Sequence, residues 1–172
     1  MNTFSETQKF RQWWLWLIIV ASLAVPVIIT YFNLPANSTG KKIRDMAIGA
    51  AVPCLIILLF LSTKLKTQIN ETGVAYRFVP FHLKTFKIEW TEIEKAYIRK
   101  YRPLPEYGGW GMRAGLGGLG RAYNVSGNIG LQLQLTSGKK ILFGTQKPDE
   151  ITAVLNFLVS NGTIKKSVIS VP

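Results

Sequence analysis

The sequence predicts an α+β protein in which a two-helix membrane hairpin precedes a small antiparallel β-domain closed by one C-terminal helix. Three observations predict it. Two apolar runs, Trp13 to Phe32 and Ala47 to Thr63, carry almost no charge. From about Lys64 onward the apolar residues alternate with polar ones, the period of half-buried strands. Near the C-terminus one stretch returns to helical spacing between a clear start and a clear stop. A length of 172 residues fits one modest domain, or a smaller domain with something added. Hydrophobic residues make up 48% of the chain and are concentrated towards the N-terminus, which favours the second arrangement.

The first run, WWLWLIIVASLAVPVIITYF, is 20 uncharged residues, enough to cross a bilayer core of about 30 Å as a helix. Trp13, Trp14 and Trp16 open it and Tyr31 and Phe32 close it, as aromatic rings do at the two interfaces. A cleaved signal peptide fits less well, because the apolar stretch continues past Ser22 and Ala24, with Pro26 immediately downstream. The connection NLPANSTGKKIRD contains Pro35 and Gly40 as breakers. In the second run, Gly49, Ala50 and Ala51 are small enough to let a neighbouring helix approach. The organisation expected is an N-terminal segment 1–12, a hairpin 13–63 with spans at about 13–32 and 46–63, a β-domain 64–162 and a tail 163–172. Lys9, Arg11, Lys64 and Lys66 flank one side of the hairpin, against Lys41, Lys42 and Arg44 in its loop. That bias puts both termini in the cytoplasm.

In the β-domain, Thr67 to Asn70 leads into the turn signal NETG, after which Val74, Tyr76 and Phe78 alternate with Ala75, Arg77 and Val79. Pro80 ends that strand. Phe86, Ile88 and Trp90 mark the next, and Glu94 to Tyr101 another. Leu131, Leu133 and Leu135 alternate with Gln132 and Gln134, and Ser137-Gly138 turns the chain into Lys140 to Gly144, a hairpin. Pro148, Asp149 and Glu150 suit the start of a helix and Asn161-Gly162 its end, with Ile151, Val154, Leu155 and Leu158 on one buried face. The tail is given no structure beyond an edge strand.

Between the strands lies YRPLPEYGGWGMRAGLGGLGRAYNVSGN, which holds eight of the chain's 15 glycines between Gly108 and Gly127. Glycine permits positive φ and close approach to another surface, and the large groups between the glycines can contact that surface. The candidate contact residues are Trp110, Met112, Arg113, Arg121 and Tyr123, with Arg102 beside them. Trp110 either anchors the loop at a membrane or protein interface or folds back over one end of its own domain.

No motif argues for catalysis, and no cofactor or metal is expected. Gly115 to Gly120 matches GxGxxG formally, but a dinucleotide site needs a preceding strand, a following helix and a later acidic residue. Here no carboxylate lies between Glu106 and Asp149. His82 is the chain's single histidine, and Cys54 its single cysteine, within an apolar run. Neither builds a metal cluster, and no intrachain disulfide can form. Ser126 lacks a nucleophile elbow, and Glu89, Glu92 and Glu94 interleave with Lys87 and Lys95 as on a solvated strand.

The segments FKIEWTEIEKAYIR, YGGWGMR, GRAYNVSGN, LQLQL and ILFGTQKPDEI, taken in that order, resemble the bacterial pleckstrin-homology-like membrane proteins, over roughly Lys64 to Gly162. The resemblance implies a PH-like, partly open antiparallel β-barrel capped by the C-terminal helix, on the cytoplasmic side of a bacterial inner membrane. It carries over no catalytic residue. The formal charge of +12 asks for a polyanionic neighbour, and the membrane segments make anionic phospholipid headgroups the nearest one. Nucleic acid fits less well, since a membrane-tied domain has limited access and no nucleic-acid motif is present. The function expected is a membrane-anchored, non-catalytic binding or scaffolding module that meets lipid headgroups or a membrane protein. The alternatives are an accessory subunit of a membrane transport or envelope-synthesis complex and, from another class, an enzyme acting on membrane lipid.

Overall fold

The computed structural model describes residues 3–33 and 39–169. Residues 1 and 2 of the N-terminal segment, the expected breaker Pro35 and tail residues 170–172 lie outside the described residues. The chain is α+β and separates into two compact units. One is Phe10–Thr63; the other joins Met1–Lys9 to Lys64–Pro172. The β-domain is therefore built from two pieces of chain, with the helical pair inserted between them.

The N-terminal segment, expected to stand apart from the domain, contains its first strand. β1 (Phe4–Lys9) pairs antiparallel with β2 (Lys64–Asn70), from Phe4 opposite Ile69 to Lys9 opposite Lys64. Phe4, Glu6 and Gln8 point inward, so two of its three buried side chains are polar. Burying a carboxylate is costly unless it is hydrogen-bonded. Glu6 accepts from Thr145 Oγ1 at 2.7 Å and from the Gln146 N–H at 3.0 Å, and Gln8 Nε2 donates to the Gly144 carbonyl at 2.6 Å.

The inserted unit holds α1 (Trp13–Asn33) and α2 (Thr39–Ser62). Both contain a segment long and apolar enough to cross a membrane, Trp13–Asn33 and Ile43–Ser62. Helix α2 begins earlier than expected, because Gly40 falls in its first turn, where it costs little, and Lys41 to Asp45 continue the helix. Within the unit Gly49 faces Pro26, such that a Cβ added at Gly49 would lie 3.5 Å from that of Pro26, and the Phe10 and Phe60 rings meet edge to face at 5.1 Å.

After β2, the chain forms β3 (Gly73–Val79) and β4 (Phe86–Glu89), completing a four-stranded sheet in the order β1-β2-β3-β4. Trp90 does not extend β4 as expected. It opens a 3-10 turn, Trp90–Glu92, whose Glu92 carboxylate caps the Glu89 N–H, and its own indole donates to the Asn70 carbonyl at 2.9 Å. A second, five-stranded sheet follows. Its members are β5 (Ile93–Lys100), then, beyond the short helix α3 (Pro103–Tyr107), β6 (Gly111–Ala114), β7 (Arg121–Asn124), β8 (Ile129–Leu135) and β9 (Lys140–Gly144). Their order is β5-β8-β9-β7-β6, with β7 and β9 parallel and the other pairs antiparallel. The two sheets do not close into a barrel.

Leu65, Ile69, Val74 and Phe78 of the first sheet and Leu131, Leu133 and Phe143 of the second are buried. Helix α4 (Pro148–Ser160) buries Ile151, Val154, Leu155 and Leu158 and packs against β1, β2 and β8. In the tail Ile169 makes one parallel bridge to Ala96 of β5.

Because both oxygens of Glu6 are used, Glu6→Ala removes the acceptor of two donors, the Thr145 O–H and the Gln146 N–H, and leaves the Thr145 oxygen only its bond from the Lys147 N–H. It is expected to lower the unfolding free energy of the β-domain by about 1–3 kcal/mol, whereas the exposed neighbour Ser5→Ala changes it by less than about 0.5 kcal/mol. Denaturant unfolding followed by tryptophan fluorescence measures the difference.

Candidate functional site

The glycine-rich stretch is a structured hairpin rather than a loop. It enters through α3, whose Glu106 accepts from the Arg102 N–H at 2.6 Å and from Arg99 at 2.8 Å. The same Arg99 donates to the Tyr107 hydroxyl at 3.0 Å and to Gln132 Oε1 at 3.0 Å, so one guanidinium ties α3 to β8. Partial burial pushes the Glu106 carboxyl up, but Arg99 and the Arg102 N–H outweigh it and hold the group below the usual carboxylate range. Beneath this network Tyr101, Tyr107, Ala122 and Leu142 pack together with Leu119. Burial raises the Tyr101 hydroxyl to about 12, and it accepts from Asn124 Nδ2 at 3.0 Å.

The surface that the glycines approach is their own domain. A Cβ at Gly115 would lie 2.8 Å from the Tyr107 ring, and Gly120, at φ +81, leaves no space for one beside the Lys140 carbonyl. The turn between β6 and β7 is thereby pressed onto α3 and β9.

Of the candidate residues, Met112, Arg113 and Arg121 are exposed on the hairpin, Met112 and Arg121 on one face and Arg113 on the other, and Arg102 is exposed at the start of α3. Trp110 is half-buried, its indole N–H donating to the Gly127 carbonyl at 2.9 Å, and Arg113 Nε donates to the Trp110 carbonyl. Tyr123 does not belong to this surface. Beyond Arg121 the strand β7 is covered on both faces, and Tyr123 is buried, stacking on Phe143 at 5.7 Å and lying 4.9 Å from Tyr76. Burial, with Tyr123 alongside, pushes the Tyr76 hydroxyl well above its ordinary value.

His82 completes that aromatic cluster. Its ring meets Tyr76, Phe86 and Tyr123, its Nδ1 accepts from the Phe78 N–H at 3.2 Å, and burial lowers its pKa. An imidazole that accepts at Nδ1 is neutral there, consistent with a packing role.

Lys9, Lys64 and Lys66, read in the sequence only as charges flanking the hairpin, form a second group of cations with Arg77. On the outer face of the first sheet, Lys9 sits directly opposite Lys64, and Lys66 lies between Thr7 and Arg77. Like charges opposed across strands repel. Among the described residues none of these four cations has a carboxylate within ion-pair distance. Lys66 and Arg77 line a cavity of about 250 Å3 together with Ser5, Thr7, Gln68 and Thr85. Two cations and several hydroxyl and amide donors facing one concavity can hold a singly or doubly charged oxyanion. The signal in the sequence is the spacing Lys64-x-Lys66 beside Thr7-x-Lys9, which has meaning only once residues 4–9 are known to be a strand.

No protein-family model matches this chain, and no curated protein matches its sequence.

Two measurements follow. Gly117 and Gly120 both have positive φ, but only Gly120 meets backbone, so Gly117→Ala is expected to cost about 1–2 kcal/mol and Gly120→Ala clearly more, by denaturant unfolding. For His82 the folded pKa lies below the unfolded value of 6.5, so the unfolded chain binds the proton more readily. The stability contributed by neutral His82 is complete above that value and is lost as pH falls through the folded one. The melting temperature should therefore drop between about pH 7.5 and about pH 5.5, and His82→Phe should flatten that slope.

Proposed function

We propose that this chain is a two-pass membrane protein whose β-domain, of PH-like architecture, is a non-catalytic module that binds anionic phospholipid headgroups on the cytoplasmic side. One observation carries the reading. The apolar helical pair is inserted between two hydrogen-bonded strands, and the chain leaves and re-enters the sheet at Lys9 and Lys64, which face each other. Only 6% of each apolar window is buried, which is unlike the core helix of a soluble domain. If those helices cross a bilayer, three residues after β1 and one before β2 separate the sheet from it. The unpaired Lys9, Lys64, Lys66 and Arg77 then lie at the headgroups, where each cation contributes about 1 kcal/mol of attraction to an anionic leaflet. Two sheets followed by a C-terminal helix support the PH-like reading, and the Lys and Arg flanking the hairpin support cytoplasmic termini in a bacterial inner membrane.

A second reading, an accessory subunit of a membrane complex, is favoured by the exposed Leu104, Met112 and Leu116 beside Arg113 and Arg121. Exposed apolar groups rimmed by cations suit a protein partner.

Purification of the full chain in mild detergent from membranes of mixed anionic and zwitterionic phospholipid, followed by mass spectrometry of bound lipid, tests the two. Enrichment of anionic lipid that is lost in Lys66→Gln/Arg77→Gln supports the module. Enrichment unchanged by that pair of substitutions overturns the assigned face, and a stoichiometric protein with no lipid enrichment favours the subunit.

A further inference from the structure

The strand registers place one more element at the end of the sheet from which the chain passes to the helices. Val79, the last residue of β3, is opposite Lys64, and Lys64 is opposite Lys9. Residues 80–85, which join β3 to β4, therefore project from the same sheet end. Their composition is unusual for an exposed connection. Leu83 is 89% exposed and Phe81 53%, although a soluble loop tip has no reason to present a ring and a leucine to water.

The exposure is enforced by the fold. His82 is held inward by the aromatic rings of Tyr76, Phe86 and Tyr123, by the Phe78 N–H at its Nδ1, and by its own N–H donating to the Phe78 carbonyl at 2.8 Å. Arg77 Nε donates to the His82 carbonyl at 3.1 Å. With His82 fixed inward, its neighbours Phe81 and Leu83 are left on the outside. At this sheet end are the cations Arg77, bonded to His82, and Lys84, 5.9 Å from the Phe86 ring, and, across the strands from Val79, Lys64 and Lys9; the one carboxylate nearby in sequence, Glu89, lies 3.7 Å from Lys87, further along β4. Apolar and aromatic tips set among cations match the boundary between headgroups and acyl chains.

We infer that the β3–β4 connection enters the bilayer interface through Phe81 and Leu83, as a third contact of the chain with lipid beside its two apolar helices. This rests on the two-pass reading. The occupant is lipid, because the apolar tip stands among cations and because its sheet end is the one from which the chain continues into the apolar helices. The opposite end of that sheet, the Asn70-Glu71-Thr72 turn, carries an acidic residue and no large apolar one.

The test uses the full chain with Cys54→Ser, labelled with an environment-sensitive fluorophore at Leu83→Cys or, as the control at the far turn, at Glu71→Cys. Leu83 is nearly fully exposed, so labelling it displaces no packing. In vesicles of mixed zwitterionic and anionic phospholipid, the label at position 83 is expected to be blue-shifted and to lose most of its emission to lipids brominated high in the acyl chain. The label at position 71 should remain aqueous and unquenched. Aqueous emission at both positions, in a chain that resists alkaline extraction, overturns the loop contact and leaves the two-pass reading standing. A blue shift at position 83 without bromine quenching means that protein covers the loop, and also overturns it. Release of the chain by alkaline extraction overturns the two-pass reading and this inference with it.

Discussion

The pairing of β1 with β2 is the constraint on which the rest of the structure depends. It joins two pieces of chain separated by Phe10–Thr63, and it does so with a strand two of whose three inward side chains are polar. A strand of that kind gains little from apolar burial, so its position is set by the partners of Glu6 and Gln8 on Gly144, Thr145 and Gln146. Those residues are the end of β9 and the approach to α4. The same bonds that seat the first strand therefore also fix where the last helix begins, and α4 in turn packs on β1, β2 and β8.

A large insertion between neighbouring strands would ordinarily weaken their pairing through the entropy of closing the loop. Here the insertion is itself a packed pair of helices, with Phe10 near its start against Phe60 near its end. Its two ends are already together, which removes most of that cost. The apolar hairpin takes the place of a turn.

Much of this architecture could be read from the residues. The two apolar helices, β2, β3, β5, β8, β9 and α4 all carry their period over enough residues to be recognised. β1 does not, because Phe4, Glu6 and Gln8 alternate correctly but two of them are polar, and a polar segment before an apolar run looks like a simple flank. β6 and β7 are four residues each and glycine-bordered, too short to show a period. The candidate site was legible in part. Met112, Arg113 and Arg121 are all exposed on one hairpin, though not on one face of it, and Tyr123, one position along from Ala122 on a strand covered on both faces, joins the aromatic core. The glycines did announce close approach; their partners, Tyr107 and the Lys140 carbonyl, are remote in the folding pattern that sequence alone provides.

The placement of β1 ahead of the helices also has a consequence for biosynthesis. When β1 leaves the ribosome its partner does not yet exist, and at typical elongation rates the intervening residues take roughly 3–10 s to follow. During that interval an unpaired strand with a buried-type carboxylate is held beside two apolar segments in transit. Only when both have been synthesised and Lys64–Asn70 emerges can β1 find its partner, and only when Thr145 and Gln146 follow can Glu6 be satisfied. Completion of the β-domain thus comes after synthesis of both helices, and the first strand made is among the last to be secured.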